Sequence, residues 1–218
     1  MNQELWQQEI QKMRDQLEAS HAAREAGLKL CRSIIQTCSK CIKNVHRRQF
    51  EQAEGLLSEA IKLSGEARVC LSSHPELRYA GYLQDAEKEL VEAAALVAWV
   101  KPHFYKDSTF VSCESLGVAP SSYLNGLAEA ASECRRYVLD EMRGGNLSES
   151  ERLLNLMELV YDDLITFDFP DALTGGLRRT CDALRAVIER TRSDLTMTTV
   201  QNELIQELKK AKSSEVII

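Results

Sequence analysis

Four glutamates stand where their charges would collide. Glu89 and Glu92 are three residues apart, and Glu129 and Glu133 are four apart. Within a helix each spacing puts both side chains on one face, where like charges repel. If the two pairs converge, they form an all-oxygen site for a hard divalent cation, which removes the repulsion and can acidify a bound water. Against this stands the plain alternative of solvated glutamates on a highly charged chain, since charge clusters mark function only probabilistically. A second constellation is basic. Lys29, Arg32, Lys40, Lys43 and Arg47 recur at steps of three and four, with Gln36 filling the gap and His46 and Arg48 extending the far end. Such a row can follow a phosphate backbone with salt-sensitive affinity and little sequence preference. It can equally be the charged flank of a coiled-coil seam. Few aromatics interleave with it, so base stacking is not indicated.

Other chemistry is weakly signalled. Cys38 and Cys41 make a lone CxxC with no second pair and no suitably spaced histidines, so core packing explains Cys38 better than zinc or redox chemistry does. Glu18 and His21 form one Glu-x-x-His, whereas a di-iron carboxylate site needs two such motifs and two further glutamates. No catalytic motif built on cysteine, serine or a glycine-rich loop is present. The seven cysteines are odd in number and several lie on helical stripes, which argues for reduced, small apolar residues. A net charge of −6 argues against indiscriminate polyanion binding, though a local basic face within an acidic whole remains compatible with it.

The elements that position these residues read as helices. Only 4 prolines and 10 glycines interrupt 218 residues dominated by good helix formers, so the fold class is all-α, a bundle of about six long helices. Helix one runs from Asn2 to about Gln49. Its seam is Trp6, Ile10, Met13, Leu17, then Leu28, Cys31, Ile35, Cys38, Ile42 and Val45, with polar His21 and Arg24 between. A domain of this size could hardly cover such a helix along its whole length, which implies an oligomer. Helix two spans Phe50 to Leu71, and helix three about Glu76 to Val100. His103 to Pro120 is an irregular loop. Helix four starts after Pro120 with Ser121 or Ser122 as N-cap and ends at Gly144-Gly145. Helix five begins at a Ser148/Glu151 capping box and runs to about Phe167. Helix six follows Pro170, carries Leu177, Cys181, Leu184 and Ile188 on one side, and ends near Leu195. Residues 1–195 read as one domain and 196–218 as a weakly ordered tail. Glu129 and Glu133 lie nearly opposite the stripe of Leu124, Leu127, Ala131, Cys134 and Val138, where a solvated face belongs unless it lines a cavity between subunits. Glu92 directly precedes eight apolar residues, Ala93 to Val100, an edge where a carboxylate needs a reason. That run is too short to cross a bilayer and the N-terminus too polar for a secretory signal, so a cytoplasmic protein without membrane contact is expected.

Two of these segments resemble a known family. Tyr123 to Asn146 (YLNGLAEAASECRRYVLDEMRGGN) is similar to the helix-four signature of translin and translin-associated factor X, with its Tyr-Leu-x-Gly opening, an acid, and a Glu four later. Lys88 to Val100 (KELVEAAALVAWV) is similar to the factor-X form of helix three, with two glutamates separated by two residues. Asp194-Leu195 and the His46-Arg47 end of helix one fit the same pattern. The resemblance implies an all-α fold, a hollow homo-octamer, and binding of single-stranded RNA or DNA. In the factor-X branch it also implies endoribonuclease activity dependent on Mg²⁺ (or Mn²⁺). It places the acidic quartet of that branch on Glu89, Glu92, Glu129 and Glu133, with Glu129 where Asp is usual. Keeping all four acids favours the nuclease; the alternatives are a non-catalytic nucleic-acid-binding chamber and a helical scaffold without nucleic acid.

Overall fold

The structure, a computed structural model, describes residues 2–101 and 111–215. Among them there is helix and no strand. Residues 103–110 of the expected irregular loop lie outside the described residues, and its remainder is not wholly irregular but holds a turn of helix at Cys113–Leu116. The chain forms two compact units, Met1–Gly126 and Leu127–Ile218.

Unit 1 is built on α1 (Gln3–His46), packed against α2 (Phe50–Cys70) and α4 (Tyr82–Val100). Asn2 caps α1, its side-chain oxygen accepting from the Glu4 amide at 3.1 Å. The buried stripe of α1 is Gly27, Cys31, Ile34, Thr37, Cys38, Cys41 and Val45. It is turned slightly from the expected seam, so that Ile34 is buried and Ile35 exposed. Ala53, Ala60 and Ala67 of α2 meet this stripe as small residues, which lets the helix axes come close. Residues 3–19 of α1 are all exposed, and Trp6, Ile10, Met13 and Leu17 present their apolar seam to solvent. The single helix expected from Glu76 to Val100 is instead broken. A turn of helix, α3 (Pro75–Arg78), is followed by Gly81 at φ +97°, and α4 starts only there. A left-handed backbone is incompatible with an unbroken helix. One turn of helix, α5 (Cys113–Leu116), precedes α6 (Pro120–Arg143).

The division between the units falls inside α6, whose first two turns belong to unit 1. Unit 2 contains the rest of α6 with α7 (Leu147–Leu164), α8 (Asp171–Thr174) and α9 (Leu177–Glu215). Leu153, Leu154 and Met157 of α7 and Leu177, Cys181, Leu184 and Ile188 of α9 are buried, the α9 residues as the periodicity predicts. Arg135 of α6 donates to Asp194 at 2.7 Å and to Thr191 at 3.0 Å on α9. Two caps differ from expectation. α6 begins at Pro120, so Ser121 and Ser122 lie inside its first turn, and α7 is capped by Asn146, which accepts from the Glu149 amide at 3.4 Å. Ser148 donates to Asn146 instead of capping. The expected sixth helix is split by left-handed Gly175 and Gly176, and α9 does not stop near Leu195 but continues to Glu215. No helix of the described residues is long and apolar enough to cross a membrane.

Candidate metal centre and nucleic-acid face

Glu89 and Glu92 sit half-buried on α4, one turn apart, at the entrance to the fully buried Ala93–Val97 segment. Beneath them lies Cys38 of α1. Burial is the main cause that pushes the Cys38 thiol pKa up, and the neighbouring Cys41 and the charges of Glu89 and Glu92 add to it. The start of α6 is tied to α4 by an acid that sequence reasoning passed over. Glu87, 4% exposed, accepts from the Ala119 backbone amide at 3.0 Å, which fixes the chain just before α6 begins. The missed signal was a glutamate two residues before Glu89, on a position that helical phase assigns to the core. Tyr123 holds the same corner by donating to the Val111 carbonyl at 2.8 Å.

α6 then runs without a break past Gly126, so helix continuity sets Glu129 about 4.5 Å further along the axis. One carboxylate oxygen from each of Glu89, Glu92 and Glu129 lies within 4.8 Å of the others, and all three residues are half-buried. Among the described residues this is the only such group of His, Cys, Asp or Glu side chains. An octahedral ion bound at about 2.1 Å separates its oxygen ligands by about 3 to 4.2 Å, so small side-chain adjustments suffice to close on one. Three hard oxygens without sulfur or imidazole suit Mg²⁺ or Mn²⁺ better than a soft metal. Glu133 lies one turn beyond Glu129 on the same face, also half-buried, and is not part of the three-oxygen group. The face of α6 expected to be solvated is divided: Arg136, Asp140 and Arg143 are exposed, whereas Glu129 and Glu133 are half-buried. Gly126, Ala130 and Tyr137 on that side are buried, and α6 carries buried residues around most of its circumference.

The five basic residues Lys29, Arg32, Lys40, Lys43 and Arg47 are all exposed. At 100° per residue they fall opposite Cys31, Cys38 and Val45, so they occupy the outer face of α1, not the flank of its buried seam. Arg32, Ile35, Gln36, Ser39, Lys40 and Lys43 line a shallow trough there. The body of α1 therefore separates this face from Glu89 and Glu92 within one chain. The CxxC is structural. Cys38 and Cys41 are buried, Cys41 donates to the Ala53 carbonyl at 3.2 Å, and burial pushes its thiol up to about 12. Glu18 and His21 are both exposed and, among the described residues, are not part of a metal-ligating group.

No protein-family profile matches the chain. An uncharacterized protein of Methanocaldococcus jannaschii is 33% identical over 193 residues, covering 85% of this chain and 80% of that protein. The solved structure of AfC3PO is 36% identical, superposes with a TM-score of 0.79, and is matched over 88% of this chain and 98% of its own. The chain belongs to the translin/C3PO family. AfC3PO in complex with duplex RNA matches this member equally, at 36% identity and a TM-score of 0.78 over 88% of this chain and 97% of that one. Apo-NeC3PO, 20% identical with a TM-score of 0.76 over 87% of this chain and 96% of its own, shares the translin/C3PO fold. The long-helix, all-α expectation is thus met both in the molecule and in its relatives.

Proposed function

We propose that this translin/C3PO protein is of the factor-X type: a Mg²⁺-dependent endoribonuclease that binds single-stranded RNA within a cytoplasmic homo-oligomer, an octamer by family resemblance. The observation that carries the reading is the approach of Glu89, Glu92 and Glu129 to one another on a chain of this family. Bound there, Mg²⁺ or Mn²⁺ supplies Lewis-acid chemistry, acidifying water and offsetting charge on a phosphodiester. The protein's own part is positional. α4 presents two acids from a helix packed on α1, α6 presents Glu129, and Glu133 stands one turn away to orient water or a ligand of the ion.

RNA binding is supported by the exposed basic face of α1 and by the relative solved with duplex RNA. Because that face lies across α1 from the acids, a strand held on one copy meets the glutamates of another, which a closed ring of copies provides. The exposed seam of Trp6, Ile10, Met13 and Leu17 supports assembly, since an apolar stripe of this length is seldom left in water. Labelled single-stranded RNA, with a duplex control, tests the reading in Mg²⁺ or chelator. Cutting by the wild type that stops on chelation and in Glu129→Gln supports it; undiminished cutting by Glu129→Gln removes the site. RNA binding with no cutting by the wild type in Mg²⁺ or Mn²⁺ would leave the non-catalytic chamber.

A further inference from the structure

We infer that Gly126 is a positioning residue that sets how closely α6 brings Glu129 to Glu89 and Glu92, an inference that rests on the metal-site reading. Residues 126, 129 and 133 recur at three and four, so Gly126 shares the acidic face of α6 and lies one turn before Glu129. A Cβ at Gly126 would come 2.6 Å from Val91 Cβ, 2.9 Å from Val91 Cγ1 and 2.7 Å from the Lys88 carbonyl oxygen. Two of those atoms are fixed to the α4 backbone, so no rotamer change relieves them. Lys88 and Val91 each immediately precede one of the acids, Glu89 and Glu92. A close contact between the two helices therefore falls beside the acids.

Non-bonded carbons rest about 3.5 to 4.0 Å apart, so an alanine must move α6 away from α4 by about 1 Å. Mg²⁺ demands near-ideal octahedral geometry at about 2.0 to 2.1 Å, whereas Ca²⁺ accepts longer and less regular bonds. A gap wider by that amount therefore penalises Mg²⁺ more than Ca²⁺. Gly55 and Gly65 of α2 provide the contrast, because a Cβ at either meets nothing within 4 Å. Glycine is disfavoured inside helices relative to alanine, and at Gly126 the close approach accounts for it.

The test uses the full chain as wild type, Gly126→Ala and Gly55→Ala. Mn²⁺ binding is followed by paramagnetic resonance, with Mg²⁺ and Ca²⁺ as competitors, and crystal structures of the metal-free proteins are compared. Gly126→Ala is expected to lose at least about tenfold in Mn²⁺ and Mg²⁺ affinity, with a smaller loss for Ca²⁺, as seen when groups that orient ligands are altered. Gly55→Ala should bind as the wild type does. Folded Gly126→Ala with unchanged Mn²⁺ affinity overturns the inference. A wild type that binds no Mn²⁺ refutes the metal reading itself, and the metal-free structures still decide the role of Gly126: wider carboxylate spacing in the variant supports it, and identical spacing overturns it. Should Gly126→Ala fail to fold, Val91→Ile adds bulk from the α4 side of the same contact. It is judged by the same two readouts.

Discussion

Replacing Lys40 and Lys43 together by glutamine changes two of the five cations on the outer face of α1 and leaves its buried face untouched. From Lys29 to Arg47 the row extends about 27 Å along the helix, long enough to meet several successive phosphates. Each phosphate neutralised on a single strand contributes about −0.7 to the slope of log affinity against log salt, so five contacts give about −3.5. The wild type should then lose about 100-fold in affinity between about 50 and 200 mM salt, and the double variant, with a slope near −2.1, about 20-fold. Fluorescence anisotropy of a labelled single-stranded RNA across a salt series reads both slopes directly. Circular dichroism confirms that the variant is folded. A double variant with the wild-type slope would refute the assignment of RNA to this face, because counterion release counts contacts whatever their detailed geometry. A wild-type slope near zero would remove electrostatic RNA binding altogether.

Ile34→Ala, at a fully buried position where α1 packs on its neighbours, should cost about 2 to 5 kcal/mol in chemical denaturation, whereas Ile35→Ala at the exposed neighbouring position should cost far less. Cys41 links stability to alkaline pH. Its folded pKa is raised from about 9 to about 12, so the neutral thiol is the form the fold favours. That contribution is complete below pH 9 and is lost as pH rises from there towards 12, so melting temperature should fall over this range more steeply in the wild type than in Cys41→Ala. Ile10→Glu with Leu17→Glu places charges on the exposed seam of α1 and should shift the assembly to smaller species by light scattering. An unchanged mass would show that the seam is not an interface.

Periodicity alone determined much of this molecule, because a helix is a local object. The steps of three and four identify α1, the phase of Leu177, Cys181, Leu184 and Ile188 fixes the buried side of α9, and the pairs Glu89/Glu92 and Glu129/Glu133 follow from spacing within one segment. The exposed basic row could be read for the same reason. What local spacing could not give was where a helix stops when glycine takes a left-handed backbone, as at Gly81 and at Gly175-Gly176, since glycine adopts helical angles as well. Nor could it show that Glu129 and Glu133 are half-buried. A helical wheel contrasts one apolar stripe with everything else, whereas Gly126 and Ala130 are buried outside that stripe. The nearness of Glu129 to Glu89 and Glu92 depends on how closely two backbones pack, and that was decided by tertiary contacts: a missing side chain at Gly126 against Val91 and Lys88, and a buried Glu87 holding the Ala119 amide.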